Sequence, residues 1–502
     1  MKFKSVLQFS IATFVSRILG FVRDASIAFL VGAGRFADIF NIAFRIPNFL
    51  RDMLAENVMQ TAFVPNYVKA LEKKEDPEHF LNLIFTIFLF VSLLIAILGI
   101  TFSKQIVLIT AYGFTSIPEK FGKTVEVTRI TFPYLILVSL SALFQAILNS
   151  KNEFFHPALS PALFDLGIII IIIVSKYFLP QGEYATILGY SVLFGGLLQL
   201  LYLSQRLKVY KVLPKITFNF RHPYLKDFGK LLIPVFISVG FSKIAPFINT
   251  LIATFLKEGS VSYLTYAYRI MQVPVGLFAV GLQTVSMPSF SRLVAKNSEM
   301  REALWKSFFY AVFLTLPSSI FIIFYSGEIV QVLFQRGAFT PMDTLQTAQA
   351  LIFYTPHVFA IGTSKIFLNY YFSRGEIKIP NVSVILGTIV NIAIALTLSR
   401  IMDFPALALA VSAGTLIQSL FLTAMVSINN PILPEYLWKL VKVIIASTIS
   451  LLPCYFLFTR NPFARLTIGF VAYTSMFLLI AYLWNFLPEI KGIKKSDEEN
   501  LK

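Results

Sequence analysis

The sequence predicts an all-α polytopic membrane protein: fourteen transmembrane helices, as two pseudo-symmetric six-helix lobes followed by two extra C-terminal helices. Three observations carry this prediction. Apolar runs of about 20 residues recur along the chain, each able to cross a hydrocarbon core about 30 Å thick. The composition is 56% hydrophobic and 14% charged with a mean hydropathy of +0.73, which does not suit a soluble globular chain. Blocks of sequence also recur in the same order some 223 residues apart.

Taken in order, spans are expected near 5–30, 36–68, 80–102, 125–149, 157–178 and 185–205, then 228–256, 261–291, 304–325, 343–372, 379–399 and 405–427, and finally 437–458 and 464–486. The first opens with Lys2, Lys4 and an apolar run, as a signal peptide does. Arg17 interrupts that run and no small-residue cleavage site follows, so it reads as a retained helix. The spans group into an N-terminal lobe (1–225, helices 1–6), a C-terminal lobe (226–430, helices 7–12), helices 13 and 14 (431–486) and a cytoplasmic tail (487–502).

Loop charge sets the orientation. The 206–226 loop holds Arg206, Lys208, Lys211, Lys215, Arg221 and Lys226, and Lys69, Lys73, Lys74, Arg292, Lys296, Arg301, Lys306 and the tail residues Lys491, Lys494 and Lys495 fall on the same side. Opposite loops are poorer, so both termini are expected in the cytoplasm. The formal net charge of +17 is therefore explained by basic residues flanking apolar spans, not by a nucleic-acid groove. Cys454 is the sole cysteine and there are four histidines, so no disulfide, metal centre or cofactor is expected.

The repeat is explicit at residue level. Ser16-Arg17-Ile18 recurs as Ser242-Lys243-Ile244, Ala43-Phe44-Arg45-Ile46 as Ala267-Tyr268-Arg269-Ile270, and Gln60-Thr61 with Pro65 as Gln283-Thr284 with Pro288. Pro133, Ser150, Lys151, Glu153 and Pro157 recur as Pro356, Ser373, Arg374, Glu376 and Pro380. Six spans per repeat is an even number, so both halves insert the same way up, as in parallel transporter repeats.

Charges inside the first two spans are the main functional signal. Residues 16–56 hold Arg17, Arg23, Arg35, Arg45 and Arg51 against Asp24, Asp38, Asp52 and Glu56. A central Arg or Asp costs roughly 2.5–3.5 kcal/mol on insertion scales, so such residues should face a bundle interior or a watery cavity. Arg17, Gly20 and Asp24 share one helix face, which leaves open an internal Arg17–Asp24 ion pair; Asp38 with Arg45, and Arg45 with Asp52, are also spaced to pair. In the second half Lys243 and Arg269 sit at equivalent positions with no acidic neighbour at helical spacing. Arg23 becomes Asn249, and Arg51 aligns with Pro274 or Val275, so these two cations belong to one half only. An asymmetric anion fits, and guanidinium forks suit phosphate or pyrophosphate oxygens. Lys365, mid-span in the tenth helix, reads as a coupling group or as a lysine paired with a carbonyl. Asp165 reads as a cation or proton site or as a hydrogen-bonding residue. Gly32 and Gly34 mark a turn.

Ser16-Arg17-Ile18-Leu19-Gly20-Phe21-Val22-Arg23-Asp24, Gly32-Ala33-Gly34, Asp38, Pro47-Asn48-Phe49-Leu50-Arg51, Glu56 and Ala62-Phe63-Val64-Pro65 together resemble the MurJ (MviN) lipid II flippases. The resemblance continues through Gly259-Ser260-Val261-Ser262-Tyr263, Arg269, Gly337-Ala338-Phe339-Thr340 and Phe372-Ser373-Arg374. It implies the MOP exporter superfamily fold, with two lobes around a central cavity and helices 13 and 14 forming a lipid-tail groove. It also implies that Arg17, Arg23, Arg51 and Arg269 bind the substrate headgroup and that Asp38 is important. The duplication adds Lys243 to that set, with Asp24, Glu56 and Lys365 expected to support transport. Tyr268 departs from relatives that carry Asp before the arginine.

The expected activity is translocation of lipid II, an undecaprenyl-pyrophosphate-linked disaccharide peptide, from the cytoplasmic to the outer leaflet for cell-wall synthesis. Its expected setting is the bacterial cytoplasmic membrane, with membrane lipids and other cell-wall synthesis proteins as partners and no nucleic acid. Rival readings are an exporter of another polyprenyl-linked glycan or of a drug, and a membrane glycosyltransferase or phosphatase. The arginines disfavour a cationic drug, and no convincing acid or metal set for an enzyme is visible.

Overall fold

The computed structural model describes residues 3–53, 58–178, 180–296, 299–457 and 459–485, and every regular element among them is a helix. In chain order these are α1 (Phe3–Val31), α2 (Arg35–Arg51), α3 (Val64–Lys73), α4 (Pro77–Thr101), α5 (Ser103–Thr110), α6 (Pro118–Thr131), α7 (Tyr134–Ser150), α8 (Phe155–Phe178), α9 (Tyr184–Val209), α10 (Pro223–Ser242) and α11 (Ile244–Ala253). They continue as α12 (Ser260–Pro274), α13 (Val280–Ala295), α14 (Arg301–Phe324), α15 (Ser326–Phe334), α16 (Pro341–Tyr354), α17 (Pro356–Ser373), α18 (Lys378–Met402), α19 (Pro405–Asn429), α20 (Pro434–Ile449), α21 (Leu452–Tyr455) and α22 (Pro462–Leu483). Short π-helical turns lead into α3 (Met59–Phe63) and join α12 to α13 (Val275–Ala279).

Proline sets many of the starts. Pro77, Pro118, Pro356, Pro405, Pro434 and Pro462 each open a helix, where a missing N–H costs nothing and the fixed φ suits the first turn. Asp76 and Asn461 add side-chain caps, to His79 N and to Phe463 N and Ala464 N.

Eleven helical stretches among the described residues are long and apolar enough to cross a membrane. The chain is thus a multi-pass membrane protein. The expected spans outside these eleven are the first, second and seventh, which carry Arg17, Arg23, Arg51 and Lys243. The seventh is not continuous: α10 ends at Ser242, Lys243 precedes α11, and Pro246 follows. A proline ring clashes with the carbonyl four residues earlier, here Ser242, which accounts for the break.

Packing divides the chain into two units. The first holds residues up to Ser262 together with Arg336–Thr340. In it α1 packs on α8, α8 on α9, α2 on α6, and α7 on α4 and α9. Aromatic stacking anchors one side, with the Phe63 ring 5.2 Å from Tyr67 and 6.0 Å from Phe80. Gly32 (φ 64°) makes the turn into α2, and Gly337 (φ 61°) seats the 336–340 segment on α1. A Cβ at Gly337 would lie 2.4 Å from Phe29 O, and the neighbouring Ala338 N donates to that same oxygen at 2.9 Å.

The second unit holds the described residues of 263–335 and those from Pro341 onward. There α18 packs on α19, α17 on α13, α14 and α19, and α20 on α14 and α22. Trp305 is fully buried against Phe308 and Phe367 and donates from Nε1 to Asn430 O at 3.1 Å.

Each unit contains one backbone-close helix crossing. In the first, a Cβ at Gly167 would meet Gly195 Cα at 2.6 Å, and one at Gly195 would meet Phe164 O at 2.4 Å. In the second, a Cβ at Gly387 would lie 2.7 Å from Gly414 O, and one at Gly414 would lie 2.5 Å from Gly387 O. Small residues let helices approach this closely in a membrane, where apolar burial gives little drive for helices to associate. The sequence repeat thus has a structural counterpart in the α8–α9 and α18–α19 pairs.

Candidate functional site

Arg23 and Arg51 of the first two spans are held by carboxylates, in a pattern that helical spacing did not predict. Arg23 on α1 donates from Nε and Nη2 to Asp24 Oδ1 (3.0 and 2.8 Å) and from Nη1 to Asp165 Oδ1 on α8 (2.7 Å). Asp165 is 4% exposed. The Arg17–Asp24 pair allowed by the shared helix face does not form: Asp24 pairs with the adjacent Arg23, and Arg17 is exposed. Arg17 and Asp24 lie two turns apart, roughly 10 Å along the axis, while Arg23 folds back directly.

A second cluster joins α2 to the break before α11. Arg51 Nη2 reaches Asp52 Oδ1 at 3.0 Å, and Lys243 Nζ reaches Asp52 Oδ2 at 2.8 Å. Lys243, which has no acidic neighbour at helical spacing, is therefore paired all the same. Its partner comes from another helix, 191 residues earlier, which spacing within one helix cannot reveal. Arg45 donates from Nη2 to Pro246 O at 2.8 Å.

Asp38 is 1% exposed and fully engaged. It accepts from Lys120 Nζ (2.9 Å), Gly259 N (2.9 Å), Ser262 N (3.0 Å) and Ser262 Oγ (2.7 Å). The last three lie at the first turn of α12, whose backbone donors would otherwise be unmatched. Lys120 is itself 3% exposed and lies 4.1 Å from the centre of the Phe114 ring. The sequence reading began this span at 125 and so left Lys120 in a loop. The signal was Pro118-Glu119, a helix start seven residues earlier.

In the second unit Arg269 sits exposed on α12, beside Tyr268, whose ring packs edge-on against Tyr354 at 5.7 Å. Lys365 Nζ donates to Gln283 Oε1 at 2.8 Å, and Asn369 donates to Gln283 O and Ser286 Oγ, tying α17 to α13. Glu56 lies outside the described residues. The structure thus brings Arg23 to Asp24 and Asp165, and Arg51 to Lys243, while Arg17 stands apart from both groups and Arg269 and Lys365 belong to the other unit.

The family model described as lipid II flippase MurJ matches residues 27–484. The chain belongs to the lipid II flippase MurJ family. A probable lipid II flippase MurJ of Aquifex aeolicus is 32% identical over 95% of this chain and 93% of its own length. One from Buchnera aphidicola of Acyrthosiphon pisum is 36% identical over 75% of this chain and 74% of its own. Among solved structures, lipid II flippase MurJ in an inward closed conformation superposes with a TM-score of 0.81 at 28% identity, covering 96% of this chain and 99% of that one. A multidrug resistance MATE transporter of the MOP superfamily, at 15% identity and TM-score 0.65, shares the fold. The MurJ family is one of transporters, so the membrane-enzyme reading is set aside.

Proposed function

We propose that this chain carries lipid II from the cytoplasmic to the outer leaflet of the bacterial inner membrane by alternating access, with no bond made or broken. The observation that carries the reading is the family match over residues 27–484, most of the chain. The side chains supply a physical rationale for the substrate. Arg23 and Arg51 are cations held in helices of a membrane protein, Lys243 is one at a helix break, and phosphate oxygens are ligands that guanidinium groups serve well.

In this proposal Arg17, Arg23, Arg51, Lys243 and Arg269 bind the pyrophosphate headgroup, and Asp24, Asp38, Glu56 and Lys365 support transport. Residues 1–225 and 226–430 act as the two moving lobes, and 431–486 accommodate the polyprenyl tail. Both termini, including the 487–502 tail, face the cytoplasm, and other cell-wall synthesis proteins are partners. The direct test is purified protein in liposomes containing labelled lipid II. Chemically unchanged lipid II should become accessible on the opposite leaflet; a covalently altered product, or no movement above protein-free liposomes, defeats the reading. Arg23→Ala and Arg51→Ala should abolish movement in protein that is still inserted, and Arg→Lys should restore it only in part, since a point charge makes no bidentate contact.

A further inference from the structure

Asp165 is a second carboxylate on Arg23, supplied by another helix. It lies well inside α8, beyond the first turn, so it is not a helix cap. It is 4% exposed, yet its Oδ1 takes a 2.7 Å bond from Arg23 Nη1 on another helix. The chain makes room for it: a Cβ at Gly20, one turn before Arg23, would sit 3.2 Å from Asp165 Oδ2. Asp24 already neutralises Arg23 from the same helix, through two bonds. A second buried carboxylate is costly to desolvate and adds little stability to an arginine that is already paired.

Its chemistry matches that of a phosphate oxygen. Both are anionic acceptors that take a short, charge-assisted bond from a guanidinium N–H. Resting on the proposed lipid II reading, we propose that Asp165 is an internal counter-ion that the pyrophosphate headgroup displaces from Arg23. It thereby sets headgroup affinity and drives release when it reclaims the arginine. Asp165 is a positioning residue in this scheme: it competes with the substrate for one donor and contacts no part of the substrate itself. Asp24 moves with Arg23 on α1, whereas Asp165 belongs to α8, so only the latter bond has to be exchanged between helices.

The test measures lipid II binding and translocation separately, using full-length protein in lipid nanodiscs and proteoliposomes. Asp165→Asn keeps the volume and removes the competing charge. It should bind lipid II roughly tenfold tighter, on the scale of one charge-assisted hydrogen bond no longer opposed, and should translocate more slowly because release is impaired. A structural role would weaken both. Gly20→Ala provides an independent route that leaves every charge in place. Its methyl displaces the Asp165 carboxylate by a few tenths of an ångström and should shift affinity in the same direction by a smaller factor. This variant also keeps the idea testable if Asp165→Asn fails to fold. Unchanged or weaker binding in a folded variant, with wild type binding normally, overturns the counter-ion role and leaves the flippase reading intact. Failure of wild type to bind lipid II overturns both.

Discussion

At the scale of single residues, the Lys120–Asp38 and Lys243–Asp52 pairs differ in burial, and the difference sets what the loss of each would cost. The Lys120–Asp38 pair has side chains only 4% and 2% exposed. Removing one partner of such a pair strands a buried charge, at a cost of about 3–5 kcal/mol. Lys120→Met should therefore lower the unfolding temperature sharply in detergent, and adding Asp38→Asn should recover part of the loss; an unshifted melting curve would refute the pairing. Lys243 is different, with its side chain 38% exposed, and a half-exposed pair contributes only about 0–1 kcal/mol. Lys243→Gln should melt close to wild type yet bind lipid II more weakly, and Lys243→Arg should retain most binding. If Lys243→Gln binds with wild-type affinity, the lysine is no part of the headgroup site. The residue types of this site were legible in the sequence, because charges within apolar spans stand out. Their partners were not, since Asp165 and Lys243 meet Arg23 and Asp52 across 142 and 191 residues. No periodicity within one helix encodes such a pairing.

Among the elements, the two glycine crossings should tolerate little change. Gly167→Ala and Gly387→Ala each place a methyl against backbone that has no room to give. Overpacking of this kind costs about 1–3 kcal/mol, so both should lose thermal stability. Gly281→Ala, with nothing within 4 Å of the added Cβ, is the matched control and should melt at or above wild type. Equal effects at all three positions would mean that the crossings are not close-packed. Element positions were readable from hydropathy because an apolar run of span length has few alternatives. The breaks were harder. Pro246 lies inside an apolar run much like those at Pro161 and Pro317, which sit within continuous helices, yet ahead of Pro246 one helix ends at Ser242 and the next begins at Ile244.

For the whole molecule, orientation is the sharpest open prediction. Basic residues concentrate in the 206–226 loop, whose backbone runs along α4 through Lys215 N to Asn82 Oδ1 (2.7 Å) and Thr217 N to Thr86 Oγ1 (3.0 Å). Lys215→Cys should resist impermeant thiol reagents added to intact cells and react once the membrane is opened. Labelling from outside would invert the topology. The family and its transport class were legible because the Ser16–Asp24 and Pro47–Arg51 motifs are distinctive. The grouping of residues up to Ser262 with Arg336–Thr340 was not, because it depends on a backbone bond to Phe29 that composition does not register.

The bond between Arg23 and Asp165 also bears on how the chain is made. The guanidinium leaves the ribosome 142 residues ahead of its buried counter-ion. At about 5–20 residues per second that interval is roughly 7–30 s. During it, α1 has only the neighbouring Asp24 of this pair of carboxylates to offset its charge. Nascent chains arrested before α8 should therefore yield α1 to alkaline extraction more readily than chains arrested after it. The insertion machinery would hold the first helix in a half-finished state until the fifth span arrives to complete it.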